Sequence, residues 1–341
     1  MVTPADEDTV RLPRAAAPRA GSPPPAGGLP TAPRRRRGGA PWLLPAIGGI
    51  VLLSGAGGGA YVYLARSPRI EAERPAAPPP PAAPAPRFAT ATEADILAYA
   101  GPALRVRQLA PNPAILVLDF ATLAEQGRML NRLAALVEKA GLPRDRVLDD
   151  AAMANAVSAD GGSAETFYYG HNYRAADAAR FFALADRDRI ALTPEEERLR
   201  EIARDAGWLS PGATGALVSV PAAGTQSWLD MRARAAMLRH ELSHGEFFTN
   251  PAYATLVWRF WREMLTEEER LRLRRMLSEA SYDHRMEEVM ANEAQAFVFH
   301  TPDERFFNPV EIGLTSERLA AMRAAFLAEM PPGWLRDAMR P

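Results

Sequence analysis

"RHELSHGEFF", residues 239–248, places two histidines four positions apart around a glutamate, in a chain of 341 residues that contains only five histidines. At 3.6 residues per turn, His240 and His244 leave the same helical face one turn apart, and Glu241 is rotated about 100° from that face. Two imidazoles so arranged can share one metal ion.

The pattern extends outward from these residues. "GALVSVP" at 215–221 reads as a strand and leads through a short turn into a helix expected over 226–248, capped near Thr225 or Ser227, where "SWLD" has capping-box-like spacing. The inward stripe of that helix is Leu229, Ala233, Met237, His240, His244 and Phe247. Both histidines therefore face the core, where each needs a metal or a hydrogen-bond partner. H-E-x-x-H is the spacing of zinc hydrolases, in which both imidazoles bind zinc and the glutamate takes the proton of the attacking water. The competing reading is a hydrogen-bonded core pair on a structural helix. Chance alone would produce the pattern in well under ~1% of chains of this composition.

A catalytic zinc site usually has three protein ligands and one open position. A third histidine six residues on is excluded, because that position is Asn250. "ANEAQAF" at 291–297 lies on a helix expected over 285–299, whose apolar stripe holds Met286, Val289, Met290, Ala296 and Phe297. Glu293 falls within that stripe, whereas Glu287 and Glu288 lie off its centre. A carboxylate on a buried face needs strong compensation, which zinc would supply.

An HExxH helix followed by a later helix bearing "NE" resembles the gluzincin zinc metallopeptidases. The resemblance implies Glu293 as third ligand and peptide-bond hydrolysis as the activity, and it covers the strand, the two helices and their connection but not residues 88–210. The sequence departs from the family where an aspartate often follows the third ligand by four residues, since Phe297 stands there. Asp283, Asn292 and Gln295 are the candidates to orient the zinc imidazoles instead. An oxyanion donor is also expected. Candidates are Tyr282 and His284 in "SYDHRMEE", and His171 in "FYYGHNY" at 167–173, where Gly170 would allow a tight turn; the alternative for the second run is a strand end whose aromatics enter the core. His300 would line the pocket or cap its helix.

The wider chain is strongly segmented. Residues 1–40 hold eight prolines, no aromatic residue and the run "RRRR" at 34–37, the composition of a disordered basic tail. Residues 38–65 carry no charge and contain Trp42, Tyr61 and Tyr63, so 41–65 is expected to be one uncleaved transmembrane helix. The preceding arginines place the N-terminus in the cytoplasm. Residues 66–87, with "PAAPPPPAAPAP" at 75–86, read as an extended stalk. An extracytoplasmic, periplasmic domain then spans 88–341, and the anchor is the inner membrane.

That domain keeps 29 of the 40 basic and 36 of the 41 acidic residues, a net charge near −7 that argues against nucleic acid as partner. The absence of cysteine removes disulfides from the argument. Helices are expected at 91–99, 122–140, 173–186, 193–206, 226–248, 251–264, 266–280, 285–299 and 315–329, with strands at 114–120, 215–221 and around "ETFYY". The expected fold is mainly helical α+β, with a small sheet whose edge strand precedes the HExxH helix. The expected function is zinc-dependent hydrolysis of a protein or peptide substrate, with Zn2+ on His240, His244 and Glu293, Glu241 as base, and Tyr282, His284 or His171 at the oxyanion. A non-catalytic, metal-containing scaffold or partner-binding protein of the cell envelope is the alternative.

Overall fold

The computed structural model describes residues 87–340. The expected tail, transmembrane helix and stalk, up to residue 86, lie outside the described residues. Among the described residues no helix is long and apolar enough to cross a membrane.

In chain order the elements are β1 (Thr90–Ala91), α1 (Glu93–Leu97), β2 (Arg105–Leu109), β3 (Asn112–Phe120), α2 (Leu123–Val137) and α3 (Asp150–Ala159). There follow β4 (His171–Arg174), α4 (Ala175–Asp188), α5 (Pro194–Asp205), β5 (Ala216–Pro221) and α6 (Met231–Thr249). The chain continues with α7 (Pro251–Arg259), which runs into a π-helical turn, then α8 (Glu267–Glu279), α9 (Glu287–His300), α10 (Ser316–Glu329) and α11 (Trp334–Ala338). This is a mainly helical α+β fold with one mixed five-stranded sheet, in the order β1-β2-β3-β5-β4.

β3 and β5 are apolar along nearly their whole length because both faces of the sheet are covered. Leu116, Leu118 and Phe120 of β3 point toward α2, α4 and α5, while Ile115 and Val117 point toward α6. In β5, Leu217 joins the first side, and Ala216, Val218 and Val220 join the second. This period-2 division makes the sheet the partition between two cores. A third core gathers α7 to α10 around Phe260, Trp261, Phe299 and Phe326, with the Phe299 and Phe326 rings stacked 3.9 Å apart.

Several expectations change. β5 precedes α6 but is interior, pairing with β3 on one side and β4 on the other, so the edge strand is β4. The strand expected around "ETFYY" begins later, at His171, because Ser163 and Thr166 close residues 163–166 into a turn through Ser163 N–H to Thr166 Oγ1, 2.8 Å. The helix carrying the histidines starts at Met231, and Asp230 is its cap, accepting from the Ala233 N–H at 2.7 Å. Thr225 instead donates to the Ala222 carbonyl within a loop that Gly224 closes at φ 84°. α3 has no buried residue, so its sequence carries no apolar stripe to read.

Candidate metal centre

α6 lies close against the sheet for two local reasons. Gly245 faces β3, where a Cβ would come within 2.8 Å of Ile115 Cδ1. Arg234, fully buried, donates through Nη2 to both carboxylate oxygens of Asp119 on β3, at 3.0 and 2.9 Å. A buried charge left alone would be costly, so this pair sets the position of the helix as well as anchoring it.

From that position α6 presents His240 and His244 to Glu293 on α9, all three buried. One ligand atom from each lies within 4.8 Å of the other two. His240 Nε2 is 3.5 Å from Glu293 Oε2, and His244 Nε2 is 3.6 Å from Glu293 Oε1. A tetrahedral zinc with bonds of about 2.1 Å holds its ligand atoms about 3.4 Å apart, so both His–Glu distances are within a few tenths of an ångström of a closed site.

Burial pushes the His240 pKa down to about 3 and that of His244 to about 4. Both imidazoles are then neutral at pH 7 and carry a lone pair for a metal. His244 Nε2 and Glu293 Oε2 have no hydrogen-bond partner among the described residues. Buried polar atoms are seldom left so, and a divalent cation would satisfy both together. Three carboxyl groups add to the argument. Burial raises Glu293, burial and the Glu293 charge raise Glu241 well above its usual range, and the same two causes push Glu138 up to about 8. The residues present therefore fit a metal ion, in donor set, in spacing and in the sign of the missing charge.

His240 is oriented by a residue other than the family's aspartate. His240 Nδ1 lies 2.8 Å from Thr301 Oγ1, and that hydroxyl donates its only proton to the Ala296 carbonyl, 2.9 Å away. His240 Nδ1 must therefore carry the hydrogen, which leaves Nε2 free toward Glu293. His244 Nδ1, by contrast, has no hydrogen-bond partner among the described residues, so Asn292 does not orient that ring by a hydrogen bond. Gln295 donates to Ser243 Oγ at 3.1 Å, and Asp283 is engaged by Arg285, so neither takes the expected role. Thr301→Val is expected to weaken zinc binding about tenfold to a hundredfold, with Thr301→Ser restoring most of it, as read by competition with a chromophoric chelator. Equal affinity in the valine variant would show that Thr301 does not orient His240.

Glu241 opens onto a cleft of about 100 Å3 beside His240, room for about three waters. Its Oε2 accepts from Asn172 Nδ2 at 3.2 Å. Its Oε1 abuts Gly170, where a Cβ would lie 2.0 Å away. The requirement at Gly170 is thus close approach of the carboxylate, and the tight turn expected there is not what uses the glycine. Tyr282 lines the same cleft, and its hydroxyl favours the ionised form of Glu293. Backbone bonds from Ala140 N–H to the Ser281 carbonyl, 3.0 Å, and from Asp283 N–H to the Glu138 carbonyl, 3.1 Å, hold it there.

The other sequence candidates are placed elsewhere. His284 is exposed and does not line the cleft. His171 is fully buried, with Nδ1 2.8 Å from the Tyr173 hydroxyl, and also does not line it. His300 is buried and bonded to Tyr253. Tyr168 does line the cleft, 5.6 Å ring to ring from Tyr282, and its hydroxyl has no partner among the described residues. It lies within the quoted "FYYGHNY" run, whose composition gave no sign of which aromatic would enter the site. Thr301 had no signal at all, because it acts from just beyond the end of α9. No protein-family model matches this chain, and no curated protein or solved structure shows significant similarity to it.

Proposed function

We propose that this protein is a zinc-dependent hydrolase of peptide bonds, of gluzincin type, anchored by residues 41–65 in the inner membrane with its C-terminal domain outside the cytoplasm. The observation that carries the reading is the conjunction of a buried His240, His244 and Glu293 triad with Glu241 on the cleft that His240 also lines. A structural metal site with three protein ligands has no use for a fourth, buried, clamped acid.

His240, His244 and Glu293 would hold the metal, and zinc there supplies Lewis acidity toward a carbonyl and toward an attacking water. Glu241 takes the proton of that water on a carboxylate oxygen and returns it to the leaving amine, which its raised pKa favours. Asn172 and Gly170 keep that carboxylate from rotating away from the cleft. Tyr282, whose pKa burial raises well above 10, stays protonated and serves as the oxyanion donor. An extended peptide would lie in the cleft that Gly170 and Glu241 line, since His171, Asn172 and Tyr173 of β4 are buried and offer it no edge.

The test is hydrolysis of an unfolded protein such as casein, and of a mixed peptide library, by the full chain before and after chelation. Activity should vanish with the metal and return with added zinc. Zinc-loaded protein that cleaves nothing in either substrate set would favour the scaffold reading. Protease added outside spheroplasts should remove residues 88–341 and spare the first forty; protection of the C-terminal domain until lysis would reverse the proposed orientation.

A further inference from the structure

Of the chain's 40 basic side chains only one is a lysine, Lys139. It stands just past the end of α2, buried, on the wall of the cleft. Its Nζ donates to Asp160 Oδ2 at 2.9 Å and to the Phe167 carbonyl at 3.3 Å. The same atom lies over the Phe167 and Tyr168 rings, 4.1 and 4.4 Å from their centroids. A compact ammonium suits a space bounded by two ring faces, a carboxylate and a carbonyl; a planar guanidinium is broader.

Asp160, just past the end of α3, gives its other oxygen to a third segment. Oδ1 accepts from Ser281 Oγ at 3.1 Å, just past the end of α8. Ser281 has φ 69°, in the left-handed region that non-glycine residues seldom adopt and that the surroundings must support. Tyr282 follows it and pairs with Lys139 in an isolated antiparallel bridge, with Ala140 N–H donating to the Ser281 carbonyl and Asp283 N–H to the Glu138 carbonyl. Residues paired in this way send their side chains to the same side of the backbone. Tyr168 packs beside both, its ring 4.4 Å from Lys139 Nζ and 5.6 Å from the Tyr282 ring. The contacts close a triangle, from Lys139 to Asp160, from Asp160 to Ser281, and from Tyr282 back to Lys139.

A buried ion pair recovers little beyond the cost of taking its charges out of water, so net stability does not account for this arrangement. Lys139, Asp160, Ser281 and Tyr282 all line the cleft, and Tyr282 is the one whose hydroxyl acts on the metal triad, where it favours the ionised form of Glu293. We propose that Asp160 and Lys139 are positioning residues for Tyr282: through Ser281 and Tyr168 they hold the phenol at the place on the cleft wall from which its hydroxyl meets the oxyanion. Neither side chain bonds to the metal triad or to Glu241. The use of Tyr282 rests on the hydrolytic reading; its position does not.

The position is read without turnover. In the full chain labelled with 3-fluorotyrosine, the fluorine resonance that Tyr282→Phe removes belongs to Tyr282. Asp160→Leu, Lys139→Met and Ser281→Gly should each shift or split that resonance and leave the one belonging to Tyr99, identified in the same way, unmoved. Ser281→Gly decides the matter if the other two fail to fold, because glycine takes φ 69° without strain. The use is read by kinetics on the zinc-loaded chain. Tyr282→Phe should lower kcat about a hundredfold. Asp160→Leu and Ser281→Gly should lower it about tenfold with KM within about twofold. Added to Tyr282→Phe, either change should lower kcat no further, whereas a merely structural role would make the losses multiply. An unmoved Tyr282 resonance in the folded variants, or multiplied losses, would overturn the proposal. A shifted resonance with Tyr282→Phe as fast as the wild type would uphold the positioning and overturn the oxyanion role alone.

Discussion

Glu241→Gln is expected to lower peptide hydrolysis about a hundredfold to ten-thousandfold while zinc remains bound at one per chain. Glutamine keeps the shape that fits between Asn172 and Gly170, and its amide can still hydrogen-bond, but it cannot accept the proton of the attacking water. The substitution also replaces a buried carboxyl group whose ionised form burial and the Glu293 charge disfavour. The metal-free variant should therefore melt no lower than the wild type, which separates a lost base from a lost fold. Metal analysis, turnover of a substrate the wild type cleaves and a melting curve answer the question together. A glutamine variant as active as the wild type would show that this HExxH does not work as a hydrolase motif.

Glu293→Ala is expected to do the opposite: zinc affinity falls by more than about a hundredfold, and activity falls with it to background at stoichiometric zinc. The loss should exceed that of Thr301→Val, because Glu293 supplies a bond to the ion itself and carries the negative charge that balances it. His240→Ala should behave like Glu293→Ala. His284→Ala should leave zinc unchanged, since His284 is exposed and outside the cleft. If Glu293→Ala kept full zinc while His284→Ala lost it, the third ligand would be His284 and the gluzincin reading would fall.

The helices were the most legible part of the fold because a one-sided apolar stripe is written locally. α4 and α5 carry such a stripe, whereas α6 and α9 are buried on nearly every face, Met290–His300 without exception, so it was the spacing of His240 and His244, and not an inward stripe alone, that marked the site. β3 and β5 were legible for a different reason, as short apolar runs bounded by turn residues. β2, "RVRQL", was not, because its charged side chains stay partly exposed and its strand character comes from pairing with β3. The same limit misplaced the sheet edge. Strand order depends on which segments meet after a long crossover, and β4, four residues with a histidine and an arginine at its ends, carries no signal that it will flank β5.

At the site, sequence alone determined the residues whose spacing along one helix is itself the chemistry: two imidazoles a turn apart, an acid between them and a second acid on a buried stripe. What only the tertiary structure decided is everything that reaches these residues from another element. Thr301 meets His240 across 61 positions, Asn172 meets Glu241 across 69, and Tyr282 is held at the cleft by backbone bonds to residues 138–140. Such contacts are made by side chains with no distinguishing local pattern, and their partners are fixed by the sheet order, by the Arg234–Asp119 pair and by the close seat of Gly245 on Ile115. Helical periodicity acts within a turn or two of chain, whereas the hydrogen bonds that orient an imidazole or clamp a carboxylate act through space, so the first is written in the sequence and the second appears only once the chain has folded.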